Sequence, residues 1–302
     1  MVNRLILLFT FQLVCLMLVS GQDLEFWQEN AEKGFSRYQY KLGEMYYFGA
    51  GTSIDKTKAF HWFKKSAEQG NNEAQYFLGM MYYYGDEVVT DKKQAFLWFK
   101  KSGEKGNMRA CYYLGLMYRK GYGTLIDKKQ AVYWLEKSAE LGDKTAQNDL
   151  GVLYKFGDGV LTDKKKAYYW LEKSARQGDA AGQHNLGLMY YFGEVVLTDK
   201  IEAFSLFRKS AEQGYGKAQY SLGLMYNKGD GTTINKKKAF YWYYKSAEQG
   251  NPDAQYHLGR LYYLGEGTLT DKKQAAFWIR KSYENGNEDA KGLWDELELW
   301  KY

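Results

Sequence analysis

Proline occurs once in the 302 residues, at Pro252. A chain this poor in proline can run long helices without interruption, because proline lacks the N–H and clashes with the preceding turn. Cysteine is almost as scarce, with Cys15 and Cys111 alone. Cys15 lies in an N-terminal apolar run, so the remaining chain holds one thiol and no intramolecular disulfide. The three histidines, His61, His184 and His257, are far apart in sequence. No histidine-based metal set or catalytic triad can be drawn from them, and Cys111 has no histidine nearby to activate it. Charge of one sign is also lacking. The net charge is +6, and removing the N-terminal segment takes away only Arg4, leaving 41 − 36 = +5. That is too little to point to nucleic acid.

What is plentiful is aromatic, apolar and glycine-rich: 45% hydrophobic, 18% aromatic and 32 glycines. Residues 1–21 read as a signal peptide. Arg4 gives a positive start, Leu5 to Leu18 is an apolar run shorter than the roughly 20 residues a membrane span needs, and Val19-Ser20-Gly21 offers small residues for cleavage. Gln22 is the expected mature start and export the expected fate, to a periplasm or out of the cell. Val14 before Cys15 does not suit a lipid-attachment site.

The remainder is organised around one dipeptide. Leu-Gly recurs at Leu42-Gly43, Leu78-Gly79, Leu114-Gly115, Leu150-Gly151, Leu186-Gly187, Leu222-Gly223 and Leu258-Gly259, each 36 residues after the last. A fixed period of that size marks a repeat solenoid, and it overrides the two-domain expectation that length alone gives. Seven units span 35–286. Residues 22–34 resemble the second half of a unit and read as an N-terminal capping helix. Residues 287–302 read as a C-terminal capping helix, with Trp294-Asp295 in place of Leu-Gly and a polar side from Asp295, Glu296 and Glu298.

The unit 71–106 shows the design. Ala74, Leu78, Met81 and Tyr82 form an apolar stripe at helical spacing, and Ala74 and Gly79 are small enough for a partner helix to approach closely. The equivalents of Tyr82 are tyrosine in every unit, as a ring between successive units requires. Gly85 ends this helix. Five of the seven turns read Gly-x-Gly, which without a preceding strand is no phosphate cradle. Asp91 and its counterparts Asp55, Asp127, Asp163, Asp199, Asn235 and Asp271 suit the N-cap of a second helix. That helix is expected to bury Ala95, Trp98, Phe99 and Ser102 and to end at Gly106.

The pattern Ala-x-x-x-Leu-Gly-x-x-Tyr-x-x-Gly, then Asp-x-x-x-Ala-x-x-Trp, then Lys-Ser-Ala-Glu-Gln-Gly closely resembles the Sel-1-like repeat family, relatives of tetratricopeptide repeats. Ser66-Ala67-Glu68-Gln69-Gly70 is a near-ideal copy, and the resemblance covers residues 24 to 302. It implies an all-α, right-handed superhelical solenoid of paired antiparallel helices in an exported bacterial protein, with scaffold or adaptor roles and partners held on a concave side. Cysteine-rich members linked to β-lactam hydrolysis carry a Cys pair in each repeat; this chain does not.

In tetratricopeptide-like arrays the first helices line the concave side. By register, the side chains facing a partner are then Tyr40, Tyr76, Tyr83, Tyr84, Tyr112, Arg119, Lys120, Lys155, His184, Tyr191, Tyr220, Tyr256, Arg260 and Tyr263. Tyrosine and arginine are the side chains that anchor interfaces, and this set suits a protein face or an extended peptide. The sequence reading is therefore a monomeric, non-enzymatic scaffold with no cofactor, no metal and no nucleic-acid partner. Two alternatives stand beside it. One is a cell-wall or β-lactam hydrolase using Ser-x-x-Lys at Ser53–Lys56 or Ser102–Lys105, although the companion Ser-Asp-Asn and Lys-Thr-Gly elements are missing. The other is an anionic envelope surface bound through a ridge of lysines such as Lys92-Lys93, Lys128-Lys129 and Lys164-Lys165-Lys166, since lysine at a helix N-terminus opposes the dipole and needs another reason to be there.

Overall fold

The computed structural model describes residues 21–302, so the signal-peptide segment lies essentially outside the described residues. Among them there are sixteen α-helices, one 3-10 turn and no strand. A leading helix α1 (Gly21–Glu32) is followed by three packed pairs, α2 (Ser36–Phe48) with α3 (Lys56–Glu68), α4 (Asn72–Tyr84) with α5 (Lys92–Glu104) and α6 (Met108–Lys120) with α7 (Lys128–Glu140), then by the successive helices α8 (Lys144–Phe156) and α9 (Lys164–Arg176), and then by three more pairs, α10 (Ala180–Phe192) with α11 (Lys200–Glu212), α12 (Gly216–Lys228) with α13 (Lys236–Glu248), and α14 (Pro252–Leu264) with α15 (Lys272–Glu284). A short α16 (Asp289–Glu296) and the turn Leu299–Lys301 close the chain. The chain falls into two compact units, one ending at Thr162 and the other running Asp163–Tyr302.

Each helix of the seven repeats, α2 to α15, is thirteen residues because both ends are signalled. Asp91 accepts from the Lys93 and Gln94 amides, and the rest of its column caps in the same way. The first helices have side-chain caps of their own, at Asn71, Asn107, Asp143, Asp179 and Asn251. Phe35 and Tyr215 stand in that place without one. Left-handed glycines such as Gly85 stop the first helices.

The Leu-Gly glycine is where the pair closes. A Cβ on Gly79 would sit 2.7 Å from the Phe99 ring, and one on Gly223 2.6 Å from the Tyr243 ring. No side chain fits there, so the second helix sets a fully buried ring onto bare backbone. Beside this contact Ala74, Leu78, Met81, Ala95, Phe99 and Ser102 are fully buried, as the stripes require. Trp98 differs: it is half-buried, with the Lys101 ammonium 4.2 Å from its ring.

Three polar rungs repeat through the array. The Ser102 column donates from Oγ to a carbonyl at the start of the paired helix: Ser66 to Ser36, Ser102 to Asn72, Ser210 to Ala180, Ser246 to Gly216, Ser282 to Pro252. These bonds join the end of one helix to the beginning of the other and so show the pair to be antiparallel. The Gln75 column donates to carbonyls left open at the end of the preceding repeat's second helix, as Gln75 does to Ala67 at 3.1 Å and Gln255 to Ala247 at 3.1 Å. In turn Gln39, Gln183, Gln219 and Gln255 accept from Gln69, Gln213, Gln249 and Asn285.

The third rung joins consecutive repeats and involves the first lysine of most runs; Lys92 instead faces Tyr122 and Lys272 the Tyr302 hydroxyl. Lys56 reaches Asp86 at 2.8 Å, Lys128 reaches Asp158 at 2.8 Å, Lys200 reaches Asp230 at 2.5 Å and Lys236 reaches Glu266 at 2.8 Å. Each acid sits in the turn of the following repeat. Tyr47 and Tyr191 add hydrogen bonds to Asp86 and Asp230. Lysine stands at the helix start because its stem spans the step between repeats. In the same turn the second glycine lies against the preceding repeat: a Cβ on Gly123 would come 2.0 Å from the Lys92 carbonyl oxygen. The two units without that glycine place Glu87 and Val195 at φ +59 and +72 instead.

Candidate functional site

The face lined by first helices is built of interlocked rings. In the unit ending at Thr162, Phe77 stacks on Phe63 at 4.8 Å and Tyr113 on Phe99 at 5.0 Å. Tyr76 is wedged against Phe77, Phe99 and Tyr113 and is only 5% exposed. Tyr83 packs edge-on to Tyr113, and the Tyr84 and Tyr113 hydroxyls lie 3.1 Å apart. Tyr40 donates to Glu44 at 2.6 Å. Burial and these anionic or phenolic partners push the Tyr40, Tyr47 and Tyr113 hydroxyls well above the ordinary phenol range.

The sequence-derived face therefore divides. Tyr76 and His184 pack inside the array rather than facing solvent, because the following repeat supplies a ring or side chain that covers them; His184 lies against Phe207 and Tyr215. Tyr40, Tyr83, Tyr112, Tyr191, Tyr220, Tyr256 and Tyr263 are half-buried, with one side packed and the other accessible. Arg119 lies 3.4 Å from Asp158, and Lys155 lies over the Phe156 ring. Tyr84, Lys120 and Arg260 are exposed.

Asp163–Tyr302 carries two cavities on this face. The larger, about 380 Å³, is bounded by Leu188, Tyr191, Phe207, Tyr220, Leu224 and Lys228. It is an apolar floor with a lysine at its rim. The smaller, about 170 Å³, lies one repeat further on, between Tyr243, His257, Arg260, Asn227, Lys236 and Glu266. Tyr191, Tyr220 and Arg260 were legible from register. Leu224, Tyr243 and His257 were missed; the last two are the only hydroxyl and the only imidazole in columns that otherwise hold apolar residues in one case and mixed residues in the other.

The residues offered for hydrolysis are not assembled. Ser102 is buried and gives its proton to the Asn72 carbonyl, while Lys105 donates to the Gly70 carbonyl. Lys56 is engaged with Asp86, and Ser53 is exposed. Burial raises the Cys111 thiol to about 11, so it is protonated at neutral pH. Among the described residues no group of three or more His, Cys, Asp or Glu could hold a metal ion.

The Sel1 repeat profile matches seven times, at residues 36–71, 72–107, 109–143, 144–179, 180–215, 216–251 and 252–287. The chain belongs to the Sel1 repeat family. The matches end one residue later than the units counted from Leu-Gly and begin one residue later, except the third, which begins two later. Two solved structures are similar at 32% identity: c5321, a protective antigen of uropathogenic Escherichia coli strains, over 93% of this chain and 68% of that one with TM-score 0.71, and a Sel1 repeat protein from Oxalobacter formigenes, over 91% and 80% with TM-score 0.73. No match is found among the curated proteins. Sel1 repeat proteins as a family act in protein–protein interaction and are generally non-catalytic scaffolds.

Proposed function

We propose that this Sel1 repeat protein is an exported, non-enzymatic scaffold that recognises a protein or extended peptide on its first-helix face. The observation that carries the reading is the 380 Å³ cavity of Leu188, Tyr191, Phe207, Tyr220, Leu224 and Lys228. An apolar floor edged by half-buried tyrosines and a cation suits an apolar anchor followed by an acidic or carbonyl group. Likeness to a protective antigen of uropathogenic Escherichia coli supports a role outside the cytoplasm. The test is capture from cells expressing the tagged mature protein, comparing wild type with Phe192→Ser/Lys228→Glu. Both side chains are exposed, so helical content should not change. A partner held by wild type and lost by the double variant supports the reading; a partner held equally by both removes it. Export is checked by sequencing the recovered protein from its N-terminus, with Gln22 expected first.

A second reading has its own observation. Val89, Leu125, Leu161, Leu197 and Leu269 stand almost fully exposed at one register in the turns, beside the outer lysines Lys93, Lys129, Lys165 and Lys273. Aliphatic side chains next to cations suit an anionic lipid surface. Salt-sensitive binding to phosphatidylglycerol vesicles, weakened by Leu125→Ser/Leu161→Ser, is the expected result. Absence of vesicle binding removes this second reading.

A further inference from the structure

The repeats act as controls for one another, and one of three like junctions departs from the other two. At these three, a second helix of one repeat meets the first helix of the next through two stacked rings. The pairs Phe63–Phe77 and Phe99–Tyr113 stack at 4.8 and 5.0 Å with interplanar angles of 12° and 14°. Tyr243 and His257 hold the same places between the sixth and seventh repeats, at 5.1 Å and 11°. The stacking is kept while both rings acquire polar atoms. The Tyr243 side chain is fully buried and its hydroxyl has no hydrogen-bond partner. Phenylalanine fills that column at Phe63, Phe99 and Phe207. It would pack as well and avoid the cost of an unsatisfied buried group. Packing therefore does not explain the hydroxyl.

Both rings line the 170 Å³ cavity. Of its charged residues, Lys236 and Glu266 are paired with each other at 2.8 Å, and Lys236 also donates to Asn227 at 2.7 Å. Arg260 is left as the uncompensated charge; it is exposed and lies over the Tyr256 ring. The cavity thus combines one guanidinium, one idle hydroxyl and one imidazole. Burial, with Arg260 and Lys228 adding to it, lowers the His257 pKa to about 4, so the ring is neutral at pH 7 and keeps one N–H to donate.

We propose that this cavity binds a carboxylate, with the Arg260 guanidinium supplying the charge and the Tyr243 hydroxyl a buried hydrogen bond. Two oxygens of a planar anion match a guanidinium fork and a second donor. The inference rests on the scaffold reading in taking the carboxylate to be a protein's own, either a chain terminus or an acidic side chain. The volume admits one acidic side chain or chain end, so it would fix register along a peptide whose apolar part lies over the neighbouring cavity.

The test titrates the mature chain with three probes and follows the His257 imidazole by NMR. N-acetyl-glycyl-alanine presents a terminal carboxylate, N-acetyl-aspartate N-methylamide a side-chain carboxylate, and N-acetyl-glycyl-alaninamide neither. At least one acid should shift the His257 resonance saturably while the amide does not, and the acid that binds identifies the source. Tyr243→Phe should weaken that acid at least tenfold while raising the unfolding midpoint. Arg260→Gln, at an exposed position, should abolish binding with helical content unchanged. The proposal is overturned if neither acid binds, if the amide or inorganic phosphate binds as tightly as the acids, or if Arg260→Gln or a folded Tyr243→Phe retains wild-type affinity. A chain that captures its partner yet ignores both acids loses this inference and keeps the scaffold reading; one that binds an acid but captures no partner does the reverse.

Discussion

At the scale of single residues, repetition turns every exception into an experiment. Gln39, Gln183, Gln219 and Gln255 each accept a hydrogen bond from an amide in the paired helix's end, but Lys105 stands where that amide would be in the second repeat, and the buried Gln75 Oε1 has no partner. Lys105→Gln should restore the bond and stabilise by about 1 kcal/mol, seen as a higher urea midpoint; a lower midpoint would mean that the Lys105 bond to the Gly70 carbonyl matters more. In the third repeat Cys111 and Leu141 replace both members, so no polar group is stranded. Gly79→Ala is the opposite case. Its Cβ would meet the Phe99 ring well inside contact distance, and the overpacking should cost about 1–3 kcal/mol or more. Val195 holds a β-branched side chain at φ +72, where strain is of the order of 1–3 kcal/mol. Val195→Gly should therefore raise the unfolding midpoint, despite the entropy glycine loses on folding.

At the scale of helices and their junctions, the rungs decide how stability depends on pH. Asp86, Asp158 and Asp230 have pKa values lowered below the usual carboxylate range by their bonds to Lys56, Lys128 and Lys200, although burial opposes this and is the largest influence on Asp86. A carboxylate with a lowered folded pKa contributes stability that is present above its unfolded value near 3.8 and lost as pH falls through the folded value. His257 acts over a higher window. Its folded pKa of about 4 against an ordinary 6.5 means that the unfolded chain takes up a proton first, so stability declines as pH falls from about 6.5 towards 4. His257→Phe should flatten urea midpoints across that window and leave the later loss from the aspartates in place.

The helices, caps and core were legible because they depend on local spacing: Leu78 and Met81 lie one stripe apart, and Asp91 precedes its own helix. The lysine rung was not, although acids recur at Asp86, Asp158, Glu194, Asp230 and Glu266 with only Tyr122 interrupting the column. Lys56 and Asp86 are thirty residues apart and meet only once the step between repeats is known. The fate of Tyr76 and His184 was hidden for a related reason. Whether a ring at that register faces solvent depends on the side chain the next repeat places against it, such as Tyr113 or Tyr215. Register identified Tyr191, Tyr220 and Arg260 around the cavities; it could not show that Tyr243, a core residue by spacing, carries an idle hydroxyl.

At the scale of the whole molecule, tyrosine is a structural material as much as a binding one. Burial and hydrogen bonds raise the pKa of many of the 29 tyrosines, Tyr40, Tyr47, Tyr113, Tyr168, Tyr220 and Tyr243 among them. Above about pH 10 the unfolded chain loses phenolic protons that the folded chain keeps, so stability falls as pH rises. Tyrosinate absorbance should appear together with loss of helical circular dichroism in one steep alkaline transition. Gradual ionisation with the helices intact would show these hydroxyls to be open to solvent.

The central claim is that partners meet the first-helix face, and site-specific photocrosslinking tests it most directly. A benzophenone amino acid is placed either at Phe192, on that face, or at Leu161, in the exposed turns, and the mature chain is irradiated in the cells that express it. The scaffold account expects a discrete partner adduct from position 192 and none of the same mass from position 161. The same adduct from position 161 alone would contradict it and place recognition on the leucine and lysine edge.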